Sequence, residues 1–161
     1  MKEKLIKEIE QSMLMCLDNA QLEYLHQTLF RCFENIEVLG IAKNGQEEYN
    51  MIEELMPDLV ITDNKMPVMN GIEVIEKINN SSISKKPKFI LVTADLGSEF
   101  VNNAYSLGVL NVVGKMSSEN ALKYAIEEFL YLQNTNESDI IEKHQVKKES
   151  FFEKILKKIK E

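Results

Sequence analysis

The stretch PDLVITDNKMPVMNG, residues 57–71, decides the fold of this chain. It begins at a proline, passes through the apolar residues 59–61 and reaches Asp63, after which Met66 and Pro67 lead to Gly71. A short apolar run bounded by turn residues is typical of a strand buried in a sheet. The stretch therefore predicts a buried strand that carries an acidic side chain to the edge of a sheet.

Short apolar runs alternate with segments of helical periodicity along the rest of the chain. Strands are predicted at residues 13–17, 36–42, 59–63, 88–93 and 109–113, each followed by a helix. Strands that alternate with helices form right-handed βαβ units with parallel strands. We therefore predict an α/β fold, a doubly wound five-stranded parallel sheet with helices on both faces.

The charge of the chain is acidic but unevenly distributed. The 161 residues carry a net charge of −7, of which +4 falls on residues 143–161, zero on 1–10 and −11 on 11–142. An acidic body argues against nucleic acid as its partner, because phosphate binding needs a basic face. Cys16 and Cys32 lack metal or redox spacing, and no apolar run reaches the roughly 20 residues of a membrane span. We expect a cytoplasmic protein with reduced thiols.

Polar side chains stand at the ends of four predicted strands: Asp18, Asp63, Thr93 and Lys115. In a doubly wound sheet, ligands bind at the carboxyl ends of the strands, so we expect these four to converge. Paired carboxylates attract Mg²⁺, and a metal with a lysine neutralises a phosphoryl group that an aspartate can accept. Each residue alone also suits an ordinary role as a helix cap, strand residue or solvated side chain. Their combination predicts a phosphoryl-transfer site.

Residues 12–133 resemble the receiver domain of bacterial two-component response regulators. The motifs are PDLVITD, MPVMNG, the pair Thr93 and Ala94, and Lys115, which stands 52 residues after Asp63. Within the family, the chain is similar to the receiver of the sporulation master regulator of Gram-positive spore formers. The resemblance implies a flavodoxin-like fold and a signalling protein that is not an enzyme. It implies phosphoryl transfer to Asp63 from a histidine kinase or phosphotransfer protein.

The same resemblance assigns the roles within the site. Asp18, Asp63 and the backbone carbonyl of Lys65 would bind Mg²⁺, while Thr93 and Lys115 would hold the phosphoryl oxygens. The receiver itself would bind no nucleic acid, and its downstream protein partner is not identified by the sequence.

Three positions depart from the family pattern. Helical phase favours Asp18 as the second of the usual two acids, so that Leu17 replaces the first, at a position we expect to be exposed. The switch position carries Val112 instead of an aromatic residue, and Met116 replaces the usual proline. These departures keep open the alternative of a degenerate receiver that binds its partner without phosphorylation. A separate alternative is that the chain is an N-terminal fragment of a DNA-binding response regulator.

The ends of the chain extend beyond the receiver pattern. Residues 1–11 predict a short amphipathic helix, 134–150 a polar linker, and 151–161 a basic amphipathic helix with an apolar stripe. The last segment has three interpretations: docking on its own domain or on a second subunit of a homodimer, contact with a membrane surface, or the start of an output domain. We favour docking over membrane contact.

Overall fold

A computed structural model describes residues 11–33, 35–115 and 120–133, without the side chains of residues 19, 26 and 28–32. The linker at 134–150, the basic helix at 151–161 and residues 1–10 of the predicted N-terminal helix lie outside the described residues, whereas Gln11, which that helix was predicted to include, begins the first strand. The chain divides into two compact units, Met1–Ile126 and Glu127–Glu161, and all the predicted site residues belong to the first.

Strands and helices alternate through the described residues. The strands are β1 (Gln11–Cys16), β2 (Ile36–Ile41), β3 (Leu59–Asp63), β4 (Lys88–Thr93) and β5 (Asn111–Gly114). The helices are α1 (Asn19–Cys32), α2 (Gly45–Leu55), α3 (Gly71–Asn79), α4 (Ser98–Ser106) and α5 (Ala121–Gln133). All strand pairs are parallel, in the order β2-β1-β3-β4-β5, which confirms the predicted five-stranded sheet.

The central strand of the sheet is β3, which lies between β1 and β4. Every residue of β3 is buried, including Thr62 and Asp63 near its end. A strand covered on both faces reads as a continuous apolar run, which explains why residues 59–61 show no alternation. The position of β3 delivers Asp63 to the middle of the carboxyl edge of the sheet.

The apolar core lies on both faces of the sheet. One face packs against α2, α3 and α4 in a cluster comprising Leu14, Ile52, Val60, Val74, Ile75, Ile78, Phe89, Leu91, Ala104 and Val109. Strand residues of opposite orientation are also fully buried, among them Met13, Ile61 and Ile90, as is Leu25 of α1. Helices therefore cover both faces, as the sequence predicts.

Asparagine side chains cap the N-termini of two helices that approach the carboxyl edge of the sheet. Asn44 Oδ1 accepts a hydrogen bond from the N–H of Glu47 at 2.9 Å, and Asn70 Oδ1 accepts one from Glu73 at 2.8 Å. These caps satisfy backbone donors that a helix leaves without partners in its first turn.

Among the described residues, no helix is both long and apolar enough to span a bilayer.

Candidate functional site

Asp63 is the centre of the site. It ends β3 and is 3% exposed. Its Oδ1 accepts a hydrogen bond from the N–H of Lys65 at 3.0 Å, and its Oδ2 lies 2.5 Å from Lys115 Nζ. The carboxylate is therefore held from two directions, by the loop that follows its own strand and by a side chain that follows β5.

Lys115 joins the two predicted carboxylates. Its Nζ lies 2.5 Å from Asp63 Oδ2 and 3.6 Å from Asp18 Oδ2. Partial burial by itself lowers the pKa of this ammonium, but hydrogen bonding and charge from Asp63, and then from Asp18, outweigh that effect and raise the pKa. Lys115 therefore remains positively charged at neutral pH and neutralises part of the carboxylate charge.

Asp18 has two roles at once. Its Oδ1 accepts a hydrogen bond from the N–H of Gln21 at 2.9 Å, which caps the start of α1. Its other oxygen is the one that faces Lys115. Its side chain is 49% exposed, so this carboxylate stands at the solvent side of the site whereas Asp63 stands at its floor.

Thr93 ends β4 and is buried. Its carbonyl oxygen accepts a hydrogen bond from the N–H of Lys115 at 2.9 Å, so the backbones of the two residues meet. Its Oγ1 accepts one from the N–H of Asp95 at 3.0 Å. Because the hydroxyl oxygen acts as the acceptor in that bond, its proton can be donated elsewhere. The structure thus brings Thr93 to the same sheet edge as Asp63.

The β3–α3 loop, residues 64–70, turns back sharply against the end of β3. Gly71 N donates to the carbonyl oxygen of Asn64 at 3.0 Å, and a Cβ at Gly71 would lie only 2.9 Å from the carbonyl oxygen of Asp63. Any larger residue would push α3 away from the site, which explains the glycine that closes the opening sequence stretch. Val68 forms the exposed tip of the loop with a positive φ of 70°, an uncommon conformation for a β-branched residue.

The donor set fits a hard divalent cation. Asp18 and Asp63 approach closely enough for one ammonium to contact both, and both offer oxygen atoms, the ligands that Mg²⁺ prefers. The described residues contain no group of three His, Cys, Asp or Glu side chains that would hold a metal by side chains alone. A cation at this edge would therefore need backbone or water oxygens as well, consistent with the expected contribution of the Lys65 carbonyl.

The predicted exposure of Leu17 is wrong. Leu17 directly follows β1 and is 8% exposed. Strand alternation explains the burial, since position 17 continues the orientation of the buried residues Met13 and Met15. A carboxylate at position 17 would therefore be partly removed from water.

The predicted switch position, Val112, lies beside an aromatic residue that the sequence interpretation missed. Val112 is half-buried and packs against the core, and its N–H donates to Tyr105 Oη at 3.3 Å. Tyr105 belongs to α4 and is 46% exposed. An aromatic hydroxyl thus contacts β5 from the neighbouring helix. Met116, where the family has proline, lies outside the described residues.

The sequence interpretation also missed a third acidic side chain near the site, Glu48 of α2. It is fully buried and accepts a hydrogen bond from Thr62, the residue before Asp63, at 2.9 Å. Burial raises the pKa of Glu48 to about 8, and weaker opposing effects come from hydrogen bonds with Thr62 and Cys16. The spacing of Gly45, Glu48 and Ile52, all buried on one face of the helix, was the signal available in the sequence.

Comparisons with known proteins agree with the fold. The family model described as the response regulator receiver domain matches residues 14–127. The uncharacterized transcriptional regulatory protein YesN of Bacillus subtilis is 34% identical over 93 residues, which cover 58% of this chain and 25% of that protein. The protein-glutamate methylesterase/protein-glutamine glutaminase of Clostridium acetobutylicum is 29% identical over 111 residues, 65% of this chain and 32% of its own.

A solved structure gives the same result. The DNA-binding response regulator of the LuxR family from Staphylococcus aureus superimposes with a TM-score of 0.63 at 28% identity, covering 74% of this chain and 98% of that one. This chain spans about a third or less of the length of the two curated relatives. With a family model that covers most of its length, the chain belongs to the response regulator receiver domain family.

Proposed function

We propose that this receiver accepts a phosphoryl group on Asp63 from the phosphohistidine of a histidine kinase or phosphotransfer protein. The observation that carries the proposal is the convergence of three charges, with Lys115 Nζ 2.5 Å from Asp63 and 3.6 Å from Asp18. A carboxylate held at the floor of a site by an ammonium can act as a nucleophile beside a group that neutralises the incoming charge, which supports the proposal.

The proposed step is a direct displacement at phosphorus. An Oδ atom of Asp63 forms the new P–O bond, the P–N bond of the phosphohistidine breaks, and the imidazole nitrogen takes the electron pair. The product is an aspartyl phosphate, a mixed anhydride. The Lys115 ammonium neutralises part of the negative charge on the phosphoryl oxygens, and the Thr93 hydroxyl donates a hydrogen bond to one of them. When bound by Asp18, Asp63 and the Lys65 carbonyl, Mg²⁺ would supply further positive charge at this edge.

Phosphorylation would then change which protein the receiver binds. The added negative charge and acceptor oxygens at Asp63 reposition nearby loops, which is how such a modification is read. We propose that Val112 and the hydroxyl of Tyr105 take part in this readout at β5, because they form the contact between α4 and the strand that precedes Lys115. This proposal has four finer parts. The chain forms a homodimer, residues 151–161 dock on a protein surface, the protein is cytoplasmic, and within the family it is most like the receiver of the sporulation master regulator.

A phosphorylation-independent receiver is the second candidate function. It is favoured by the loss of the first acid, since Leu17 is a buried apolar residue. In this alternative, the chain binds its partner through the same surface without accepting a phosphoryl group. Because the relatives are longer, an output domain such as the DNA-binding part of a transcriptional regulator is a further proposal for the whole protein.

The test is intact-mass measurement after incubation with Mg²⁺ and a small acyl phosphate. The native chain should gain one phosphoryl group, and Asp63→Asn should gain none, because an amide is not a nucleophile of this kind. Asp95→Asn is the matched control: it changes an exposed acid at the same sheet edge and should still be modified. Modification that persists in Asp63→Asn, or its absence from the native chain, would reject the assignment.

A further inference from the structure

The buried carboxyl of Glu48 has no part in the site described above, yet it lies directly behind it. Its side chain is 0% exposed, and its Oε2 accepts the hydrogen bond from Thr62 Oγ1. Its Oε1 has no hydrogen-bond partner of good geometry in the described part of the chain. A buried carboxylate with one oxygen left without a partner is costly, whereas the protonated form carries no charge to compensate.

The groups that face Glu48 are mostly neutral or acidic. The Cys16 thiol of β1 interacts with the same carboxyl, and burial together with that carboxyl raises the pKa of the thiol. Asp63 of β3 and Glu47 of α2 add negative charge around this cluster. Within the described residues, no basic group is among the causes that shift the pKa of Glu48. The surroundings therefore favour the neutral carboxylic acid at neutral pH.

Contacts lead from Glu48 to the loop that borders Asp63. Met66 Sδ lies 2.7 Å from Cys16 Sγ and 3.8 Å from Thr62 Oγ1, so the loop side chain closes over the residues that surround the carboxyl. The preceding residue, Lys65, is the one that donates its N–H to Asp63. The position of Met66 therefore affects the backbone that holds the phosphoacceptor.

The N-terminus of α2 is hydrogen-bonded to the same loop and packs closely against it. Gly45 N donates to the carbonyl oxygen of Pro67 at 3.4 Å, and a Cβ at Gly45 would overlap the carbonyl of Met69. Glu48 stands one turn further along α2. Movement of Glu48 toward water would thus require α2 and the β3–α3 loop to separate, because close packing leaves no slack between them.

We propose that Glu48, in its neutral form, is a positioning residue for the phosphoryl site: through Thr62 and Met66 it holds the β3–α3 loop in the geometry that Asp63 requires. This inference rests on the proposed phosphorylation of Asp63 and adds a pH dependence to it. When Glu48 ionises, the buried charge drives α2 away from the loop, and Lys65 no longer holds the Asp63 carboxylate in place. Phosphorylation should therefore decrease at alkaline pH.

The test compares the native chain with Glu48→Gln, which stays neutral at every pH and keeps the acceptor for Thr62. Phosphorylation rates with Mg²⁺ and a small acyl phosphate are measured from pH 6.5 to pH 9. The ratio of the variant's rate to the native rate is compared at each pH, because the pH dependence of the donor cancels in that ratio. With a pKa of about 8, about one native molecule in ten retains neutral Glu48 at pH 9. The ratio should therefore rise about tenfold from its value at pH 6.5.

Two further variants separate positioning from general stability. Glu48→Ala removes the partner of Thr62 and should slow phosphorylation at every pH while remaining folded by circular dichroism; rescue by glutamine but not alanine is the expected signature. Glu54→Gln changes an exposed acid of the same helix and should follow the native pH profile. A flat ratio for Glu48→Gln, or native rates in Glu48→Ala, would overturn the inference.

Failure of the proposed function would give a different result. If the native chain takes no phosphoryl group at any pH, the inference is judged on the unphosphorylated protein by the amide NMR signals of Lys65 and Met66. These should shift with a midpoint near pH 8 in the native chain and not in Glu48→Gln. Identical pH titrations in both proteins would overturn the positioning role independently of phosphorylation.

Discussion

Asp63 and Glu48 are both buried, at 3% and 0% exposure. Their surroundings differ in whether a cationic group lies beside the carboxyl. Asp63 receives the ammonium of Lys115 and a backbone N–H. Glu48 receives a hydroxyl and lies beside a thiol. Burial alone penalises both ionised carboxylates, and a cationic partner offsets that penalty only for Asp63. The comparison shows that partners, more than depth, determine what a buried acid can do.

Strand β3 contributes to the surroundings of both carboxyl groups. Thr62 and Asp63 are adjacent in β3, and successive side chains of a strand point to opposite faces. Thr62 turns toward Glu48 and the face covered by α2, whereas Asp63 continues the opposite row and ends at the carboxyl edge. A displacement of Thr62 on one face would therefore be transmitted to Asp63 on the other face through the single peptide unit that joins them.

The largest expected effect comes from ionising Glu48. Its folded pKa of about 8 exceeds the ordinary value of 4.5, so its stabilising effect is complete below about pH 4.5 and is lost as the pH rises through 8. Between pH 5 and 8, the free energy of unfolding of the native chain should fall by roughly 3 to 4 kcal/mol relative to Glu48→Gln. Urea denaturation at pH 5, 6.5 and 8 measures it, and parallel pH dependences in the two proteins would contradict the neutral state of Glu48.

A third buried carboxyl can be introduced at position 17. Leu17→Asp exchanges a buried apolar side chain for an acid, so in metal-free buffer we expect a loss of roughly 2–3 kcal/mol of stability. Mg²⁺ should restore more stability than it adds to the native chain, because the new carboxylate would then have a cationic partner.

Thermal unfolding with and without Mg²⁺ measures the gain at position 17. Leu17→Asn is the matched control, since it has nearly the same shape without the charge. If the Asp and Asn variants respond equally to Mg²⁺, position 17 does not face the proposed metal site, and the helical phase that assigned Asp18 as the second acid is wrong.

The smallest effect should come from removing the partner of Asp63. Lys115→Met leaves the carboxylate at the floor of the site without its ammonium, and we expect a loss of about 1–2 kcal/mol, since Lys115 is 24% exposed and partly screened by water. In an Asp63→Asn background, the same change should cost much less. A double-mutant cycle by urea denaturation in metal-free buffer measures the coupling, and additive effects would show that Lys115 does not compensate Asp63.

Sequence patterns predicted the parts of this protein that depend on local regularity. Apolar runs and helical periodicity predicted the five parallel strands, and the strand ends indicated which polar residues would meet. The prediction for Leu17 failed because its role was taken from the family pattern, whereas the alternation through Met13 and Met15 already indicated burial.

The surroundings of the acidic groups depend on the tertiary structure. Glu48 carries a polar side chain at a buried helical position. Only the packing of α2 on β3 shows that Thr62 is its partner and that, within the described part of the chain, no basic group is among the causes that shift its pKa. The contact between Tyr105 and Val112 likewise joins α4 to β5 across a turn. The amino-acid sequence by itself determined the sheet and its charged edge, because short-range periodicity fixes which faces are apolar. Protonation and hydrogen-bond partners depend on distances between elements, and those exist only once the chain is folded.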